Sequence, residues 1–224
     1  MNPEDLMKNA PQTIQTIAVF MNEGGIFMWI ILGVWCLGLG ITLERFVSYQ
    51  RFSINGTSLL EAIKKLVISN EVQKAIQLCS DSKSLLAFVL KNGLKRANQT
   101  KDQIEDALIG SIMEVSPKVE DKLSYLSLAA NLSTLLGLLG TIQGLIQSFA
   151  AVANADPGEK GKLLAEGIAV AMNTTALGLI SAITLMVFHT YLVNKGEKIV
   201  KDIEEKSFKL TDLLSTRKIV VKDE

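Results

Sequence analysis

The sequence is short of almost everything that soluble catalysis and nucleic-acid binding draw on. Its 224 residues hold one histidine, His189, and two cysteines, Cys36 and Cys79, while 23 basic residues balance 23 acidic ones. A zero net charge gives no electrostatic footprint for nucleic acid. One cysteine lies in an apolar run and the other in a charged region, which argues against a disulfide or a metal site and for two small buried side chains. There is no paired nucleophile and base, no glycine-rich phosphate loop and no cluster of metal ligands. Enzymatic chemistry is therefore not expected, and no cofactor is implied. Strand-like alternation is missing as well, so the fold class is all-α.

The most informative absence is charge. Gly24–Leu43, Leu123–Ala155 and Gly167–Asn194 run for 20, 33 and 28 residues without an Asp, Glu, Lys or Arg. A bilayer crossing takes about 20 apolar residues, so the chain reads as a membrane protein with three transmembrane helices. The first follows Glu4, Asp5 and Glu23, unlike a cleaved signal peptide. Of the 23 basic residues, 20 lie in residues 44–122 and 195–224. Those near the span ends, Arg45, Arg51, Lys118, Lys122, Lys195 and Lys198, mark that side as cytoplasm. The expected order is an outer N-terminal segment over 1–23 and a first span over 24–43. A cytoplasmic helical region over 44–122 and a second span with an extension over 123–155 follow. An outer loop over 156–166, a third span over 167–194 and a cytoplasmic helical tail over 195–224 complete it. The N-terminus is outside and the C-terminus inside.

Within this frame residues 5–22 suggest a short interfacial helix, and "LERFVSYQRF" (Leu43–Phe52) closes span one with charge and aromatics. Residues 57–116 read as a four-helix cytoplasmic bundle with a solvated charged face. Ser58 and Glu61 match a capping box for its first helix, and Thr100 caps its fourth. The 33 residues of span two would measure about 50 Å against about 30 Å of hydrocarbon. An extension into the cytoplasm is expected, starting near Pro117, a residue suited to a first helical turn. Span three continues into the tail, with Gly196 as its one weak point. Two such long helices would form a stiff column.

The spans carry hydroxyls in place of charge. Thr134, Thr141 and Ser148 recur every seven residues, on one helix face. Gly137 and Gly144 lie on or near that face, and Gly140 with Gly144 makes a small-xxx-small pair. On span three Ala171, Thr175, Gly178 and Ala182 form a small-residue face flanked by Thr174 and Ser181. Two compatible readings follow. Small residues let membrane helices pack closely while hydroxyls bond to backbone, the packing here being expected within an oligomer. Alternatively, the stripe lines a passage or receives a partner helix. Ion movement at depth needs a titrating group, and these spans hold none, since Glu166 sits at the outer mouth of span three and His189 near its inner end. If the chain conducts, a partner must bring that group.

"NLSTLLGLLGTIQGLIQSF" (Asn131–Phe149) closely resembles the second-span signature of the MotA/TolQ/ExbB proton channel family. "GIAVAMNTTALGLISAI" (Gly167–Ile183) resembles its third span. "LERF" and "KSLLAFVLKNGLKRA" also resemble family segments, and size and three-span topology fit the ExbB/TolQ branch. The resemblance implies a multi-pass protein of the cell inner membrane, with its N-terminus in the periplasm. It implies a homopentamer around a dimer of a single-span ExbD/TolR-type partner whose membrane Asp carries the proton, among membrane lipids. A TonB- or TolA-like periplasm-spanning protein is a further implied partner. The function implied is that of a stator or channel subunit in a motor that spends proton-motive force on envelope work or transport. The family's second-span Thr falls on Thr141 and its third-span Thr on Thr175. Thr174, Thr134 and Ser148 complete the expected pore-lining set, and Gly137, Gly140, Gly144 and Gly178 the packing set. Two positions depart from the family: the third-span Glu falls on Val170, and the Pro after "AAI" is replaced by Thr184. Losing the Glu leaves the partner's Asp as the sole titrating group. A sodium-driven stator and a non-conducting scaffold of an envelope complex stay open as alternatives.

Overall fold

The computed structural model describes residues 20–21, 24–52 and 56–222, without the side chains of Arg51 and residues 217–222. The expected helix over 5–22 therefore lies outside the described residues, apart from Phe20 and Met21. The described residues form seven helices and no strand, an all-α fold. They are α1 (Gly25–Phe52), α2 (Gly56–Ile68), α3 (Val72–Asp81), α4 (Leu85–Lys95), α5 (Lys101–Glu120), α6 (Leu123–Ala153) and α7 (Lys160–Lys222). Three stretches are long and apolar enough to cross a membrane, and they lie in α1, in α5–α6 and in α7. The residues divide into two compact units, one from Met1–Thr42 and Ser124–His189, the other from Leu43–Leu123 and Thr190–Glu224.

The first unit holds the apolar parts of α1, α6 and α7. Its buried positions on α6 are Leu126, Ala129, Ala130, Ser133, Gly137, Gly140, Gly144 and Ser148. Spacings of three and four place them on one face. The opposite face carries exposed Leu135, Leu138, Ile142 and Phe149, suited to lipid or to another protein surface. A short turn over 154–159 joins α6 to α7, which begins at Lys160, inside the stretch expected to be loop. α7 continues through Gly196 without a break.

The second unit is built on an amphipathic bundle. Ile63 and Val67 of α2, Ala75 and Cys79 of α3, Leu86, Leu90 and Leu94 of α4, and Ile104, Leu108 and Val115 of α5 bury their side chains together with Leu192, Ile203 and Leu210 of α7. Burial pushes the Cys79 thiol up to about 11, so it stays a neutral core side chain. Ser84 caps α4 by accepting from the Ala87 N–H at 3.1 Å. Thr100 and Gln103 form a reciprocal capping box at the start of α5, so the cap expected at Thr100 is present. Ser58 is not a cap, because α2 begins at Gly56 and Ser58 lies inside it. α2 ends at Ile68 and turns through Asn70, whose φ of 63° is the left-handed conformation that Asn tolerates, and the Glu71 N–H closes back onto the Leu66 carbonyl at 2.9 Å.

The break before span two also differs from expectation. Pro117 does not open the helix of span two. α5 runs through it to Glu120, and the chain turns at Asp121 and Lys122 before α6. Lys122 has a φ of 63°, which costs a side-chain-bearing residue roughly 1–2 kcal/mol. Two ion pairs from α1 hold this turn. Arg45 donates to the Asp121 carboxylate at 2.8 Å and to the Lys118 carbonyl at 3.3 Å, and Lys122 donates to Glu44 at 2.6 Å. Tyr49, fully buried, donates to the Val119 carbonyl at 2.8 Å. The Glu-Arg pair inside "LERF" is thus a clamp on the α5–α6 turn as well as an interfacial anchor.

The Arg45 side chain is 6% exposed and its Asp121 partner 55%. Arg45→Ala should therefore cost about 2 kcal/mol, the loss of a charge-assisted bond and of buried packing. Asp121→Asn should cost less than about 1 kcal/mol, as for an exposed ion pair. Thermal melts of the detergent-solubilised protein check both, and equal losses would show that the clamp works through charge alone.

Candidate functional site

The expected site residues meet along the seam between α6 and α7, which run antiparallel inside the first unit. Each glycine there answers a group on the other helix. A Cβ on Gly178 would come within 2.7 Å of the Ser133 carbonyl oxygen and 2.9 Å of the Gly137 Cα. A Cβ on Gly137 would sit 3.3 Å from the Gly178 Cα and 3.4 Å from the Thr175 Cα. A Cβ on Gly140 would strike the Thr174 side chain, one on Gly144 would lie 3.0 Å from the Ala171 Cβ, and one on Gly167 would collide with Ser148. The packing glycines thus join two spans of the same chain. The contacts that exclude a side chain at these positions are intramolecular. Leu185 of α7 reaches α1 in a similar way, where it leaves no room for a Cβ on Gly38.

The hydroxyls divide by position across this seam. Ser148 is 3% exposed and donates to the Gly144 carbonyl at 2.9 Å. Thr141 is half-buried, and Thr134 is exposed. The seven-residue repeat therefore does not hold one environment. An α-helix falls about 20° short of closure at each heptad, so three positions seven apart step from outside the seam to its centre. On α7 the order also differs from expectation. Thr174 and Ser181, expected to flank the small-residue face, are its most buried hydroxyls, 1% and 0% exposed. Thr175 lies at the edge, half-buried.

That edge is where Thr141 and Thr175 fall. The Thr175 hydroxyl donates across the seam to the Gly137 carbonyl at 3.1 Å, and the Thr141 hydroxyl donates to Leu138 of its own helix at 2.6 Å. A hydroxyl has one proton to donate. The two threonines therefore do not donate to each other; their hydroxyls bond to the consecutive carbonyls of Gly137 and Leu138 on α6. Their lone pairs stay available as acceptors. Thr174 donates to the Val170 carbonyl at 2.7 Å, and Thr134 to Ala130 at 3.4 Å. Val170 is five residues before Thr175, about 140° around the helix. A carboxylate at Val170 would therefore leave α7 on a different side from the Thr175 hydroxyl.

Two buried polar atoms here have no hydrogen-bond partner among the described residues, the Ser181 hydroxyl and the Trp35 indole N–H. No group of three or more His, Cys, Asp or Glu able to hold a metal occurs among the described residues. The sequence signal had isolated Thr141, Thr175 and the glycines. It passed over Glu44 and Arg45 as clamp residues, although "LERF" had been singled out. The clamp partners, Asp121 and Lys122, are distant in sequence and carry no local pattern.

The seam defines a class, a helical multi-pass membrane protein whose spans offer hydroxyl and amide groups and no titrating carboxylate. The chain belongs to the MotA/TolQ/ExbB proton channel family, whose model matches residues 81–205. It is similar to a biopolymer transport protein ExbB homolog of Methanothermobacter thermautotrophicus, 25% identical over 191 residues, covering 84% of this chain and 67% of that protein. It is similar to a biopolymer transport protein ExbB-like 3 of Synechocystis, 25% identical over 166 residues, covering 74% of this chain and 79% of the other. It also resembles the biopolymer transport protein exbB1 of Vibrio cholerae, 42% identical over 79 residues, or 35% of either chain.

Proposed function

We propose that this chain is the channel and stator subunit of an inner-membrane machine that uses proton-motive force to drive biopolymer transport or other envelope work. In this reading its N-terminus is periplasmic and its cytoplasmic mass is the bundle 44–122 with the tail 195–224. Copies of the chain, five in the ring, surround a dimer of a single-span ExbD/TolR-type protein. A TonB- or TolA-like protein carries the motion outward. Thr141 and Thr175 line the ion pathway with Thr174, Thr134 and Ser148 behind or beside them.

The observation that carries this reading is the combination of a hydroxyl-bearing seam edge with spans that hold no carboxylate. A proton crossing the bilayer needs a group that binds and releases it. Hydroxyl oxygens at the seam edge can accept a hydrogen bond from a protonated carboxyl while their own protons stay bonded to the backbone carbonyls of Gly137 and Leu138. The partner's membrane Asp fills the missing role. Each proton crossing 100 mV releases about 2.3 kcal/mol, enough for small repeated steps and not for one large one.

The test is reconstitution of the full chain with its single-span partner in vesicles, under an imposed proton gradient, with an internal pH dye. Asp→Asn at the partner's membrane position should reduce proton flux to the level of empty vesicles and abolish the envelope output in cells. If the output survives that change, the complex is a non-conducting scaffold. If a sodium gradient alone drives it, the stator is sodium-powered.

A further inference from the structure

We propose that a cavity in the second unit, between the start of α2 and the middle of α7, holds the phosphate of an anionic phospholipid headgroup. The cavity measures about 460 Å³, and its walls include Phe52, Gly56, Thr57, Lys195, Lys198 and Lys206. Three lysines thus line it, against one acidic residue, Asp202. That carboxylate is already taken, because Lys206 pairs with it one turn away on α7. The Lys206 side chain is 9% exposed and reaches α2 at Gly56, where a Cβ would lie 2.7 Å from its Nζ. Lys206 and Asp202 therefore form a neutral floor.

Lys195 and Lys198 stand above that floor with their charge uncompensated. Among the described residues neither has an ion-pair partner, and Glu197 between them pairs with Lys201. Lys195 instead lies over two rings, 4.8 Å from the Phe46 centroid and 5.7 Å from that of Tyr191. A ring face attracts the ammonium without taking all of its three donors. An anion with several acceptor oxygens would complete both lysines.

Depth selects the source of the anion. The uncharged run of α1 ends at Leu43, and the candidate span that contains it ends at Gln50, two residues before Phe52 in the cavity wall. Aromatic side chains with a lysine among them mark the level of lipid headgroups, and basic pockets at this level take anionic headgroups. A lipid can place its phosphate in the cavity with its chains beside α1, whereas free phosphate gains nothing from that location. The proposal stands whether or not the chain conducts ions.

The experiment adds dioctanoyl-phosphatidylglycerol or dioctanoyl-phosphatidylcholine to the purified full-length protein in detergent, read by thermal melting and native mass spectrometry. Phosphatidylglycerol should bind and raise the melting midpoint, and phosphatidylcholine should not. Lys195→Gln with Lys198→Gln should weaken binding roughly 10-fold or more, since each surface lysine favours an anionic lipid by about a factor of five. Lys64→Gln with Lys65→Gln, exposed on α2, removes the same charge and should leave binding intact. Lys198→Glu alone, at an exposed position, should also abolish the phosphatidylglycerol shift in a protein that still folds. Three results would overturn the site: unchanged binding in the Lys195/Lys198 variant, equal loss in the Lys64/Lys65 variant, or the same stabilisation by inorganic phosphate without lipid.

Discussion

Gly178→Val will eliminate folded protein from the membrane. At Gly178 the α6–α7 seam brings backbone against backbone. The new Cβ would meet the Ser133 carbonyl oxygen at 2.7 Å and the Gly137 Cα at 2.9 Å, both backbone atoms of a helix. A flexible side chain could swing aside, but a backbone can only translate. Separating the helices would break the Thr175–Gly137 bond and open the contacts at Gly140–Thr174, Gly144–Ala171 and Ser148–Gly167 together. Without a hydrophobic drive between membrane helices, that close packing is the main attraction available. Overpacking costs about 1–3 kcal/mol where the surroundings can adjust, and here they cannot. Against a total stability of roughly 5–15 kcal/mol, loss of the first unit is the expected result. Gly33→Ala is the control, because nothing lies within 4 Å of its Cβ position. Fluorescence-detected size exclusion and a thermal melt read the outcome, and a Gly178→Val protein melting like the parent would refute the intramolecular seam.

The second large effect separates structure from function. Thr141→Val combined with Thr175→Val should leave the protein folded and reduce proton-driven output by at least about 10-fold. Valine keeps the shape of threonine and removes only the hydroxyl. The structural loss is one interhelical bond, from Thr175 to Gly137, worth about 0.6–1.7 kcal/mol in a membrane. Thr141 bonds only within its own helix, so it should contribute almost nothing to stability. A melting point within a few degrees of the parent, together with a collapse of flux, would therefore assign the hydroxyls to the ion pathway. Thr175→Ser should retain most of the output because the donor and both lone pairs remain. Full output in the double valine variant would sink the role given to Thr141 and Thr175.

What the residues disclose by themselves follows from their local character. Three uncharged runs, a capping Thr100 and helical spacing of Leu and Ile are one-dimensional signals, each set by neighbours three or four residues away. Boundaries that depend on distant partners are not local. Proline suits a first helical turn, which points to Pro117, yet the turn forms at Asp121–Lys122, where Glu44 and Arg45 hold it. The hydroxyl stripe was legible as a repeat of seven. Its change from exposed Thr134 to buried Ser148 was not, because it arises from the 20° mismatch between the helix and the heptad accumulating along the seam.

The sequence by itself determined that this protein lives in a membrane, spans it three times, belongs among helical proteins and brings no charge to the bilayer interior. Those properties need only hydropathy and composition, since transfer free energies act residue by residue. The tertiary structure decided which partners the small residues have. Glycine at 137, 140, 144 and 178 means only that something comes close. Three dimensions supplied the other helix of the same chain, and left Thr141 and Thr175 at the edge of that contact, where a hydroxyl can be bonded and still meet another molecule.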